Sequence, residues 1–271
     1  MRVLILFSCA WALLAQDAAV RPERTIHLFD GKSLDAFDTW LVDHHHSDPN
    51  RVFTVIDQID GAPAIRVSGQ GYGGIITKQR FRDYKLITEY RWGGITWGAR
   101  KDKTRDSGIL IHSQGRPGSS RADFNGPWMH SIEFQIIEGG VGDILFVGGY
   151  DEGGELRKPS AKVKTKTDRD GEPVFDPNGT EQVHSARRVN WWGRDVDWAD
   201  KLGFRGPVDV DSPGQEWTRL EAVVEGGNLI YYVNGKLVNQ ARDASLTEGK
   251  LLFQTEGAEI YFRKITLEPL R

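Results

Sequence analysis

Apolar residues in this 271-residue chain come in short alternating blocks, and no window keeps a 3.6-residue period over three turns. Gly, Asp, Asn and Pro bound the blocks, which is the punctuation of β-strands. The pattern predicts strands throughout Thr25 to Leu267, among them segments beginning at Tyr84, Ser107, Ser131 and Lys250. Asn234-Gly235 between two such blocks is a strong hairpin signal, and Asp60-Gly61 and Gly226-Gly227 add two more. So many strands exceed one immunoglobulin-type domain. They suit an all-β jelly-roll sandwich of two large curved antiparallel sheets. The 31 glycines, 9 tryptophans and 2 methionines agree with turns and strands and leave little for a helix bundle.

The net charge of -3, from 35 basic and 38 acidic side chains, gives no basic excess for nucleic acid or an anionic membrane surface. The start reads as a signal peptide over residues 1–19. Arg2 is followed by an apolar run from Val3 to Leu14, then by the small residues Ala15, Ala18 and Ala19. The run is shorter than the roughly 20 residues a membrane span needs. A periplasmic or secreted protein is therefore expected. Cys9 is the only cysteine, so the mature chain would carry no disulfide, thiolate metal site or cysteine nucleophile. The rest, 25–271, reads as one jelly-roll domain with a long excursion at about 168–214. Pro173, Pro177, Pro207 and Pro213 punctuate that excursion, and Trp191, Trp192 and Trp198 lie within it. A segment this long without regular structure is commonly functional.

Parity along strands separates the faces. Tyr84, Leu86, Thr88, Tyr90 and Trp92 share a mostly apolar face, leaving Glu89 and Arg91 on the other. Ile132, Phe134 and Ile136 read as core, with Glu133 and Gln135 opposite. Ile109 and Ile111 read as core, with Leu110 and His112 opposite. If these strands are neighbours, Glu89, Arg91, His112, Glu133 and Gln135 converge on one sheet surface. That would place an acid, a base and a cation together.

Several blocks resemble the 3-keto-disaccharide hydrolase domain family. Leu28-Phe29-Asp30-Gly31-Lys32-Ser33-Leu34 is similar to its opening, and Leu86 to Arg91, Asp106-Ser107-Gly108-Ile109 and Glu133-Phe134-Gln135-Ile136 are similar to later motifs in the same order. Glu216-Trp217, Val233-Asn234-Gly235-Lys236 and Phe262-Arg263-Lys264-Ile265 continue the series. The resemblance implies a concanavalin A-like jelly roll, export, and action on glycosides oxidised at C3. In such a substrate the ketone acidifies the C2 hydrogen, a base removes it, and the aglycone at C1 leaves; water then adds. The candidates are His112 or Glu133 as base, Arg91 as enolate clamp, and Glu89 as acid or orienting partner, with Gln135 on a sugar hydroxyl. A divalent metal held by His112 and Glu133 is an alternative enolate stabiliser, although no spaced ligand cluster demands one.

Two other readings stay open. Glu133 to Glu138 spells E-x-Q-x-x-E, similar to the E-x-D-x-x-E of jelly-roll endo-glucanases. With a β-bulge it would bring Glu133 and Glu138 together as nucleophile and acid/base. Alternatively the chain is a non-catalytic carbohydrate-binding jelly roll, in which Trp128, Trp191 and Trp192 stack on sugar rings. His44-His45-His46 reads as a solvated loop, and Lys162, Lys164 and Lys166 as the solvent side of a strand.

Overall fold

The computed structural model describes residues 18–270, so the apolar leader run and Cys9 lie outside the described residues. Two antiparallel sheets account for most of the chain: one of eleven strands and one of seven. Nine strands of the large sheet run in the order Pro173–Phe175, Ser160–Thr167, Lys236–Arg242, Asn228–Val233, Thr218–Glu225, Tyr84–Thr96, Ala258–Pro269, Ala62–Val67, Phe53–Ile59, with Ile26–His27 pairing Ala258–Pro269 and Thr180–Ser185 pairing Ser160–Thr167 beside this path. The small sheet runs Arg188–Val189, Ile144–Val147, His130–Ile137, Asp106–Gln114, Lys250–Glu256, Tyr72–Thr77, Phe37–Leu41. Among the described residues the one helical element is a single 3-10 turn at Gly98–Arg100. The fold is a concanavalin A-like jelly-roll sandwich.

The core lies between the sheets. Tyr84, Leu86, Tyr90 and Trp92 reach in from the large sheet; Ile109, Ile111, Ile132, Phe134 and Ile136 reach in from the small one. Phe134 stacks on Tyr231 with ring centroids 4.2 Å apart. Each such side chain, fully buried, contributes about 1.5–3 kcal/mol. The Asn234-Gly235 hairpin forms as expected: both residues have positive φ (48° and 78°), which matches the right-handed twist of the flanking strands.

The excursion is more regular than its composition suggests. Pro173–Phe175 and Thr180–Ser185 both pair with Ser160–Thr167, and Arg188–Val189 extends the edge of the small sheet. Asp143, fully buried, anchors the chain just beyond that edge. It accepts the Trp191 backbone N–H at 2.8 Å and pairs with Arg194 at 2.8 Å and Arg188 at 3.5 Å.

Two placements differ from the sequence expectation. Tyr84–Thr96 belongs to the large sheet, between Thr218–Glu225 and Ala258–Pro269, and is no neighbour of Asp106–Gln114. His112 breaks the parity of its strand: the register shifts between Ile111 and Gln114, and His112 sits at φ 55°. The bulge turns its ring into the interior, edge-on to Tyr84 at 5.9 Å, with Nδ1 3.0 Å from the Leu246 carbonyl.

Candidate active site

The outward face of the small sheet carries a cluster of carboxyl and amide groups. Asp106, Gly108 and Leu110 alternate with the core residues of their strand. Leu110 pairs with Glu133 and Gly108 with Gln135, so all five share that face. On the other side, Leu252 pairs with Leu110, and Gln254 and Glu256 follow on the same parity. Glu256 pairs in turn with Tyr72. Gly108 makes room: a Cβ there would run into Oε1 of Glu133 and Oε1 of Gln254. Gln135 Nε2 donates to Asp106 at 3.2 Å, and Arg100 pairs with Asp106. An apolar floor of Trp40, Ile76, Leu110, Met129 and Leu252 continues the face, and Trp128 packs on it with its ring 6.5 Å from that of Tyr72.

Electrostatics set the protonation of this cluster. Burial, reinforced by the charge of Asp106, pushes the Glu133 carboxyl up to about 8. Burial raises Asp106 to about 6, against the pull of Arg100 and Arg188. Glu256 is held well above the usual carboxylate range by burial and by Asp106 and Glu133, although part of its side chain reaches solvent. Glu133 and Asp106 are nearly closed off, at 3% and 2% exposure. Neighbouring carboxyls pushed to different values provide an acid and a base near neutral pH.

The expected five-residue convergence does not occur. Glu133 and Gln135 meet, and Trp128 lies on their face. Glu89 and Arg91 point outward from the large sheet, on the other side of the sandwich. There Glu89 is held by Arg263 and Lys264 at 2.6 Å each, and Arg91 is held by Asp60 and Gln215. His112 is buried between the sheets, where desolvation lowers it to about 4. It cannot share a metal ion with Glu133, which faces away from the interior. Among the described residues no group of three or more His, Cys, Asp or Glu side chains is arranged to hold a metal ion. Trp191 is core, at 1% exposure, whereas Trp192 is 41% exposed beside the large sheet.

Glu138 is not Glu133's partner. Its carboxylate pairs with Arg105 at 2.6 Å and accepts the backbone N–H groups of Arg105 and Gly203. The histidine run lies on an exposed loop, as expected, with His45 stacked on Trp40 at 5.0 Å between ring centroids. Sequence reasoning missed Asp106, Gln254 and Glu256. Gln254 lies within the expected strand at Lys250 and follows from its parity; Asp106 and Glu256 follow once the strands are extended to their full length, Asp106–Gln114 and Lys250–Glu256.

Fold and site together define a jelly roll with a buried carboxyl cluster on its smaller sheet. Residues 24–268 match the 3-keto-alpha-glucoside-1,2-lyase-like domain, and the chain belongs to that family. Among solved structures, a candidate glycosyl hydrolase from Parabacteroides distasonis ATCC 8503 is similar at TM-score 0.49 and 16% identity, covering 92% of this chain and 95% of that one. A carbohydrate-binding module from Bacillus subtilis is similar at TM-score 0.40 and 14% identity, over 80% and 91% of the two chains. The β-glucanase of Bacillus licheniformis follows at TM-score 0.37 and 11% identity, over 82% and 83%. None reaches a TM-score of 0.5, so family membership and site geometry carry the functional reading. A comparison with curated proteins finds no match.

Proposed function

We propose that this protein, exported to the periplasm or beyond, cleaves 3-keto-glycosides by elimination on the outward face of the small sheet. The observation that carries the reading is the Asp106–Glu133 pair, with carboxyls at about 6 and about 8. At neutral pH Asp106 is the ionised member and Glu133 the protonated one. Asp106 takes the proton from C2, and the C–H electron pair passes into an enolate on the C3 oxygen. Arg188, whose charge already acts on both carboxyls, stabilises that oxyanion. The C1–O bond breaks to give an unsaturated 3-ketone, and Glu133 donates its proton to the departing oxygen. Addition of water at C1, with a proton returned to C2, completes net hydrolysis.

The amide groups support sugar binding. Gln135 Oε1 and Gln254 Oε1 are buried acceptors with no partner among the described residues, and hydroxyl groups of a sugar would satisfy them. Tyr72 and Trp128 supply an aromatic wall. Arg188, with a side chain 32% exposed, stands on the edge strand of the small sheet beside the pair.

The test is turnover of a nitrophenyl 3-keto-glucoside with product analysis in D2O. Deuterium at C2 of the released 3-keto sugar is expected. Glu133→Gln and Asp106→Asn are expected to lose on the order of 10²–10⁴ in kcat, the range for a positioned acid or base. Full turnover by both variants would overturn the proposal.

A further inference from the structure

On the opposite side of the sandwich, the outer face of the large sheet carries hollows that the reaction does not use. Ala161, Val163 and Thr165 are buried toward the core, so Lys162, Lys164 and Lys166 stand outward. Two adjoining hollows, of about 250 and about 360 Å³, lie along this row. Phe175 and Pro177 line both, and joining them gives a groove of the size that takes small ligands.

Trp192 forms one end of the groove. Its indole N–H donates to the Leu237 carbonyl at 2.7 Å, and its ring rests edge-on against the buried Trp191 at 5.0 Å. The ring is therefore fixed before any ligand arrives, and its polar atom is already satisfied. What it offers is a rigid apolar face, 41% exposed. A flat apolar face suits the C–H side of a pyranose ring, and preorganisation lowers the entropy lost on binding.

The polar groups around that face indicate the kind of sugar. Lys162 pairs with Asp243 at 2.8 Å, Lys166 lies 3.5 Å from Asp176, and Arg242 pairs with Glu181. The cations are thus largely neutralised where they stand. Lys164 has no carboxylate partner among the described residues and donates to the Pro177 carbonyl at 3.3 Å. A nearly balanced field favours a neutral polyhydroxy ligand over an anion, since hydroxyl groups both donate and accept.

We infer that the groove between Trp192 and Lys162 is a non-catalytic binding site for a neutral oligosaccharide, with one sugar ring stacked on Trp192. It stands independently of the elimination reaction.

The test is calorimetric titration of the full chain with cellohexaose and maltohexaose, with polygalacturonate as the charged control. At least one neutral hexasaccharide is expected to bind, and Trp192→Ala to weaken it at least tenfold. Trp192→Phe should retain most of the affinity, and Glu133→Gln should bind like the wild type. Lys164→Ala, on an exposed side chain, should weaken binding severalfold and gives a reading independent of how the Trp192 variants fold. No heat with either hexasaccharide would overturn the inference. So would an isotherm unchanged by Trp192→Ala and Lys164→Ala, loss of binding in Glu133→Gln alone, or preference for polygalacturonate.

Discussion

The Glu133 carboxyl occupies the space where Gly108 has no side chain, reaching diagonally across the strand pair from its own position opposite Leu110. A methyl at Gly108 would meet both Glu133 and Gln254 well inside contact distance. Gly108→Ala is thus expected to displace the acid without touching the core. Overpacking of this kind costs about 1–3 kcal/mol. Thermal unfolding should show that modest loss, and turnover of the 3-keto-glucoside should fall at least tenfold. An unchanged kcat would show that the position of Glu133 is immaterial.

The activity should have a bell-shaped pH dependence. Asp106 must be ionised, so kcat/KM rises through about 6; Glu133 must be protonated, so it falls through about 8. Because the two carboxyls interact, the limbs belong to the pair. A pH–rate profile flat from 5 to 9 would contradict the assignment.

Stability should respond to Glu133 and His112 with opposite signs. Glu133 is raised on folding from 4.5 to about 8, so its contribution is full below about 4.5 and is lost as pH rises through about 8. His112 is lowered from 6.5 to about 4, so its contribution is present above about 6.5 and is lost as pH falls through about 4. Glu133→Gln should therefore raise the thermal midpoint at pH 8.5 and leave it little changed at pH 4.5. His112→Asn, which tolerates the positive φ, should flatten the acid side. Melting curves across pH 4–9 read both.

Glu138 tests the two-carboxylate glycosidase alternative. Removing it strands Arg105, whose side chain is only 14% exposed, and breaking such a pair costs about 3–5 kcal/mol. Glu138→Ala should unfold at markedly lower temperature, yet the folded fraction should keep its turnover. Inactivation without destabilisation would instead restore Glu138 as acid/base.

Arg91→Ala should leave turnover intact. It removes partly exposed contacts with Asp60 and Trp217, worth about 1 kcal/mol or less. A hundredfold loss of kcat would place the reaction on the large sheet.

Parity made the inward set of residues legible, because burial against a partner sheet enforces alternation over whole strands. Ile109, Ile132 and Phe134 are where the pattern puts them. Parity is silent on which sheet a strand joins, and Glu89 and Arg91 were lost to the reaction face for that reason. It also fails at a bulge. The backbone at His112 takes a conformation that alternation cannot signal, and one residue's turn moves an imidazole from outside to inside. Strand ends were the third weakness: Asp106 and Glu256 are terminal residues of their strands, where apolar neighbours run out before the pairing does.

Arg188 belongs to the excursion, yet its charge lowers both Glu133 and Asp106 while Asp143 tethers it to the sheet. The excursion thereby supplies a counter-ion to carboxyls carried by other strands. Relatives that shorten or re-route this segment would retune their operating acidity while keeping every carboxyl in place.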